Sequence, residues 1–329
     1  MNTKLWNRDF TMVVIGQIIS LFGNAIMRFA LPLYLLNQTG SAALFGLVSA
    51  CAFIPMIILA PIGGALYRFF GIIPILTISV FCFLFSAVME IFIHIPFEKK
   101  KAEGSIFSIG FNDLKESFQY MRHDEPLILK VSFIIAGINM ILSALVIIGL
   151  PIIVTQTLPF EADIANSLYG YAQGGIAAGS LAGGVLAGVL SKKLKAQNSY
   201  LSVFYCALTL IPIGLAIAFP VNPMLSYIVI VISCFVMMLF AALFSVQMMA
   251  YLQMIVPNDL LGKVISCAMC VGMCASPLGQ AIYGGLFQLL ADKIYIIFII
   301  ATIITCVLSL ASRNIFKRMG ELLEVKYHH

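Results

Sequence analysis

Nine apolar runs follow one another along the chain, at residues 10–36, 42–66, 72–95, 131–155, 164–190, 200–219, 224–255, 264–290 and 294–310. Each reaches the roughly 17–25 residues with which an α-helix covers about 30 Å of hydrocarbon. None alternates apolar and polar positions as the strands of a membrane β-barrel do. Formal charge enters only two of the runs, as Arg28 and Glu90. The pattern predicts an all-α integral membrane protein of about nine transmembrane helices, three before the longest polar interruption and six after it. On this division residues 1–96 form a first membrane bundle, 97–126 a linker, 127–313 a six-helix bundle and 314–329 a tail. Within the linker Phe111, Leu114, Phe118 and Met121 recur at helical spacing, which predicts a short amphipathic helix at the membrane surface.

Composition agrees with this class: 61% of residues are hydrophobic and 10% charged, far from the balance of a water-soluble domain. The net charge of +5 is explained by its distribution and not by a nucleic-acid partner. Lys99, Lys100, Lys101 and Arg122, then Lys192, Lys193 and Lys195, then Lys263, and finally Arg313, Lys317, Arg318 and Lys326 occupy alternate connections. The connections between them carry Glu161 and Asp163, no charge, or Asp292 with Lys293. The positive-inside rule therefore places the linker and the C-terminus in the cytoplasm. Lys4 and Arg8 argue for a cytoplasmic N-terminus too, yet three crossings from there would put the Lys-rich linker outside. Either the N-terminus is external or one of the first three runs does not fully cross. The first run is too long for a signal-peptide core and reads as a retained helix.

Arg28 is the sharpest polar signal, because a guanidinium near a helix centre costs roughly 2.5–3.5 kcal/mol on insertion scales. Gln17, Asn24 and Arg28 follow heptad-like steps and form one polar stripe. Arg28 is then either a substrate-facing or coupling residue, or a side chain snorkelling toward the interface near Asn37. Glu90 and His94 are either protonation sites or a boundary pair close to water. Asn139, Gln173, Gln247 and Gln253 are candidates for a cavity lining, with hydrogen bonding between helices as the plainer role. Gly175, Gly179 and Gly183 share one face and predict close approach of a neighbouring helix. Pro32, Pro55, Pro151, Pro212 and Pro277 predict bends. All eight cysteines fall within apolar runs; Cys267, Cys270 and Cys274 share a face and read as small packing residues, since no His or carboxylate accompanies them. No Walker loop, zinc-spaced His pair or nucleophile elbow is present, so neither an enzyme nor a nucleotide-driven pump is expected, and no cofactor or metal.

The segment Pro257-Asn258-Asp259-Leu260-Leu261-Gly262-Lys263-Val264, followed by Ser276-Pro277-Leu278-Gly279-Gln280, resembles the connection between helices ten and eleven of major facilitator drug exporters of the macrolide-efflux type. Gly16-Gln17-Ile18-Ile19-Ser20 and Ala30-Leu31-Pro32-Leu33-Tyr34 look like that group's first helix. The resemblance implies two six-helix halves in a bacterial cytoplasmic membrane, with both termini cytoplasmic. Residues 42–64 resemble the second helix and 61–96 the end of the fifth and the sixth, so helices three, four and most of five are missing. That loss gives a truncated N-terminal half and accounts for the reversed parity. The family's gating loop corresponds to Gly64-Ala65-Leu66-Tyr67-Arg68, which keeps Gly64 and Arg68 but has Tyr67 at the acidic position. Its second-half counterpart, with Lys192 and Lys193, also has no acid.

The function implied is secondary active efflux of small hydrophobic drugs such as macrolides, with protons as coupling ion and the bilayer and a small-molecule substrate as partners. The alternative is a truncated, transport-incompetent remnant with a structural or partner-binding role.

Overall fold

The computed structural model describes residues 72–91, 106–190, 193–219, 222–257 and 260–327, together with Gly16. Every regular element among them is helical. A helix α1 (Ile72–Ile91) occupies the third predicted run, and α2 (Ile106–His123) lies within the linker. Six long helices follow: α3 (Pro126–Thr157), α4 (Ala162–Val189), α5 (Ser199–Ala218), α6 (Pro223–Ile255), α7 (Leu261–Leu289) and α8 (Tyr295–Tyr327). These six, of 23 to 33 residues each when the short turn before α5 is included, are long and apolar enough to cross a membrane. The described part is that of a membrane protein. The first two predicted runs, 10–36 and 42–66, lie outside the described residues apart from Gly16, which is helical.

Local chemistry sets the helix starts. Pro126 and Pro223 stand in the first turns of α3 and α6, where a missing N–H leaves no bond unmade. Asn222 caps α6 by accepting from the backbone N–H of Met224 at 2.9 Å and of Leu225 at 3.4 Å, the usual role of an Asn at that position. Connections between the six helices are short, so sequential helices run antiparallel, but the closest packing is α4 on α6, α5 on α6 and α8, and α3 on α7. The last helix does not stop where the apolar run does at 310. It continues to Tyr327 because Ser312, Phe316, Met319 and Leu323, spaced three or four apart, are buried while Arg313, Lys317 and Arg318 stay exposed.

Several hydroxyls inside the apolar bundle are satisfied along their own helices, while Ser226 and Ser309 donate across to the Ala216 and Tyr200 carbonyls of α5. Ser132 donates to the Ile128 carbonyl, Ser233 to Val229, Thr302 to Phe298 and Thr305 to Ala301, at 2.7–2.9 Å. This removes the penalty for an unpaired polar group where water is absent.

Glycine decides which helices touch. A Cβ at Gly175 would stand 3.0 Å from Val231, one at Gly179 would strike the Phe235 carbonyl, and one at Gly183 the Leu239 carbonyl. Three contacts four residues apart on α4 thus meet three contacts four residues apart on α6, as the glycine spacing predicts. The α3–α7 crossing uses the same device: a Cβ at Gly279 would strike the Met140 carbonyl, and one at Gly149 would stand 2.8 Å from the Phe287 ring.

Two buried apolar clusters fill the bundle. One contains Leu145, Ile153, Leu168, Ile213, Tyr227, Phe287 and Phe298. The other contains Met121, Ile128, Phe244, Ile255, Val264, Phe316 and Met319. Basic side chains gather at the end held by the second cluster. There Lys263 on α7 pairs with Glu116 on α2 at 2.9 Å, Tyr251 donates to the Leu194 carbonyl at 3.0 Å, and the Arg313 guanidinium lies 5.8 Å from the Tyr200 ring centre.

A helix stands where the amphipathic spacing predicts one, and its apolar positions divide between the bundle and the outside. Met121 and Ser117 are buried, whereas Leu114 and Phe118 are exposed, 43% and 37%. Ser117 and Met121 press on the bundle, where the helix packs against α3 and α7.

Candidate functional site

A cavity of about 350 Å³ opens inside the bundle between α3, α5, α6 and α7, with Ser180 of α4 at its edge. Its walls draw on both buried clusters, Leu142 and Cys206 from one and Val203, Phe244, Met248, Leu252 and Ile265 from the other. It therefore sits where the two cores meet, reaching from the basic half of the bundle to the middle of α3 at Asn139. The volume falls in the range of about 300–1,000 Å³ typical of small-molecule sites.

The polar corner of this cavity is built by an irregularity in α3. Residues Asn139–Ser143 form a turn of π-helix, and Ile153–Thr157 form a second. The second follows Pro151, which cannot donate to the Ile147 carbonyl and so loosens the ladder just before it. In the first, Asn139 Nδ2 donates to the Gly272 carbonyl of α7 at 3.1 Å, while Asn139 Oδ1 accepts from Ser143 Oγ, also at 3.1 Å. Gly272 permits this closeness; a Cβ there would stand 3.2 Å from Ile135. A primary amide has two N–H donors and two acceptor lone pairs, so Asn139 keeps one of each for a ligand.

Apart from Asn139, Ser143, Ser180 and Ser245, the wall is apolar and carries no charged side chain among the described residues. Five of its members are methionines: Met238, Met248, Met249, Met269 and Met273. Thioether side chains are unbranched and polarizable, which lets one surface fit ligands of different outline. Chemically, the site can enclose an apolar molecule and anchor it by hydrogen bonds, but its described walls offer no counter-ion.

Of the residues the sequence singles out, Asn139 lies on the cavity wall. Gln173 does not; its Nε2 donates to the Tyr169 hydroxyl on the same helix at 2.7 Å. Gln247 is 7% exposed and off the wall, and its Oε1 is buried without a hydrogen-bond partner among the described residues. Gln253 Nε2 is likewise buried and unpartnered. Lys193 is exposed in the turn after α4. Arg28, Gln17, Asn24, Gly64, Arg68, Lys192 and His94 lie outside the described residues, as does the side chain of Glu90 in α1.

The cysteines divide. Cys206, Cys234 and Cys267 are buried packing residues, but Cys270 and Cys274 are exposed, against the expectation that all three on that face serve packing.

Reasoning from the sequence did not single out the methionine wall or the π-turns. A signal for the first exists, since seven of the 16 methionines fall between 237 and 273. A π-turn leaves no periodic trace in an unbroken apolar run.

Comparison of the chain with protein-family models, with curated proteins and with solved structures returns no match.

Proposed function

We propose that this chain is a secondary transporter of the major facilitator type, exporting small hydrophobic drugs such as macrolides in exchange for protons. The observation that carries the reading is the mid-bundle cavity, apolar but for a polar corner made at a π-turn. Substrate sites in such transporters lie near the bilayer midplane, beside irregular helical backbone. The family resemblance of residues 257–264 and 276–280 supports it, as does the gathering of basic side chains at one end, which the positive-inside rule turns toward the cytoplasm.

On this reading α3–α8 form the second of two bundles. Asn139 anchors substrate, and Arg28, Gln17 and Asn24, outside the described residues, are the first-half candidates for substrate binding or coupling. Close glycine contacts between α4 and α6 allow the helices to slide during alternating access.

The test is efflux from energised cells loaded with a fluorescent hydrophobic dye. Expression should accelerate dye loss, a proton uncoupler should abolish the gain, and Asn139→Ala should reduce it at equal membrane abundance. Dye loss no faster than in cells lacking the protein, at confirmed membrane expression, would contradict transport and favour a structural remnant.

A further inference from the structure

We propose that Cys270, Met273 and Cys274 of α7 form a binding site for a soft monovalent metal ion, of the copper(I) or silver(I) kind. The two thiols, four residues apart on one helix face, stand with Sγ atoms 4.0 Å from each other. A metal–thiolate length of about 2.3 Å with a bond angle of about 120° requires sulfurs about 4.0 Å apart. The pair is thus already at the span of a trigonal ion, with no helix rearrangement needed. Both cysteines are exposed rather than packed away. Met273 sits three residues after Cys270 on the same side of the helix, 60% exposed, a spacing from which its thioether can reach an ion held by the pair.

The donor set selects the ion. No group of three or more His, Cys, Asp or Glu side chains that could hold a metal gathers among the described residues, so an ion that demands four such ligands is poorly served. Two thiolates and a thioether match the low-coordinate, thiophilic ions. Met273 also lines the cavity, which places the sulfur cluster beside it, and Cys270 and Cys274 lie about 14–20 Å along α7 from its start, counting 1.5 Å per residue. On binding, each thiol releases its proton to water as its sulfur donates a lone pair to the ion; no electron is transferred.

The full-length protein, purified in detergent under reducing conditions and assayed without oxygen, should withdraw one equivalent of copper(I) from its coloured bicinchoninate complex. The double variant Cys270→Ser/Cys274→Ser should withdraw none at the same chelator ratio. Met273→Leu should bind more weakly by at least about tenfold, the loss expected on removing even an outer partner of a metal site. Cys82→Ser/Cys306→Ser should match the unaltered protein. Because a variant can fail to fold, the unaltered protein is also labelled with a maleimide: copper(I) should protect Cys270 and Cys274 from modification while leaving Cys82 reactive. Uptake by neither protein, equal uptake by the double variant, or no protection of the pair would overturn the proposal. None of these readouts depends on drug transport, so the two proposals fail separately.

Discussion

Asn139 ties α3 to α7 through the Gly272 carbonyl and holds Ser143 in place, each at 3.1 Å. Among the described residues it is the one amide on the cavity wall, so Asn139→Ala should weaken binding of a hydrophobic dye by roughly five- to twelvefold, corresponding to about 1–1.5 kcal/mol for a net hydrogen bond. Dye titration of the purified protein measures this, and unchanged affinity would remove Asn139 from the site. A second residue-scale expectation concerns pH. Burial, reinforced by the carboxylates of Glu125 and Asp124, pushes the Tyr120 phenol above its ordinary value of 10.0. A raised folded-state pKa contributes stability that is fully present below the unfolded value and is lost as pH rises through the folded one. Melting temperature should therefore fall as pH climbs past about 10, and Tyr120→Phe should flatten that part of the profile. A profile identical in the variant would assign the alkaline loss to other groups. Gln247 and Gln173 show why polarity inside an apolar run does not locate a site. Both were equally visible as sequence signals, yet one is enclosed away from the cavity and the other bonds to Tyr169 of its own helix.

At the level of elements, the contact between α4 and α6 rests on three glycines whose missing Cβ atoms let the Phe235 and Leu239 carbonyls come close. Gly179→Ala has no compliant side chain to push aside and should destabilise the detergent-solubilised protein by about 1–3 kcal/mol, the scale of overpacking. Gly188→Ala, with nothing within 4 Å of its new methyl group, is the control and should leave the thermal midpoint unchanged. Equal midpoints for both variants would mean that this crossing is not tightly packed in solution. The ion pair between Glu116 and Lys263 joins side chains 57% and 37% exposed. Glu116→Gln should therefore change stability by less than about 1 kcal/mol, a loss that salt would hide. These elements differ in how far the sequence announced them. Apolar length and glycine spacing act through backbone geometry alone, so the six long helices and a close contact on the glycine face of α4 were legible, though not that α6 makes it. The buried side of α2 was not, because Ser117 displaces Leu114 as a contact only once α3 and α7 are in place. Nor was the continuation of α8 to Tyr327, which depends on Phe316 and Met319 finding a partner surface.

At the scale of the molecule, the described residues form a bundle whose two apolar cores meet at a cavity, with cationic side chains gathered beyond one of them. A bundle with only a structural role gains nothing from a partly open apolar cleft with hydrogen-bonding groups on its wall, since an unfilled cleft forfeits contacts. A carrier requires such a cleft. That contrast makes transport the central claim, and the sequence reached it only through family resemblance, because a cavity is a product of packing and leaves no mark on hydropathy. The most direct test uses purified protein reconstituted into liposomes, with a proton gradient imposed across the membrane and a radiolabelled macrolide outside. The account predicts macrolide uptake against its concentration when the vesicle interior is acidic, collapsing on addition of an uncoupler and reduced by Asn139→Ala. Uptake equal to that of protein-free liposomes, with the protein shown to be folded and inserted, would contradict it.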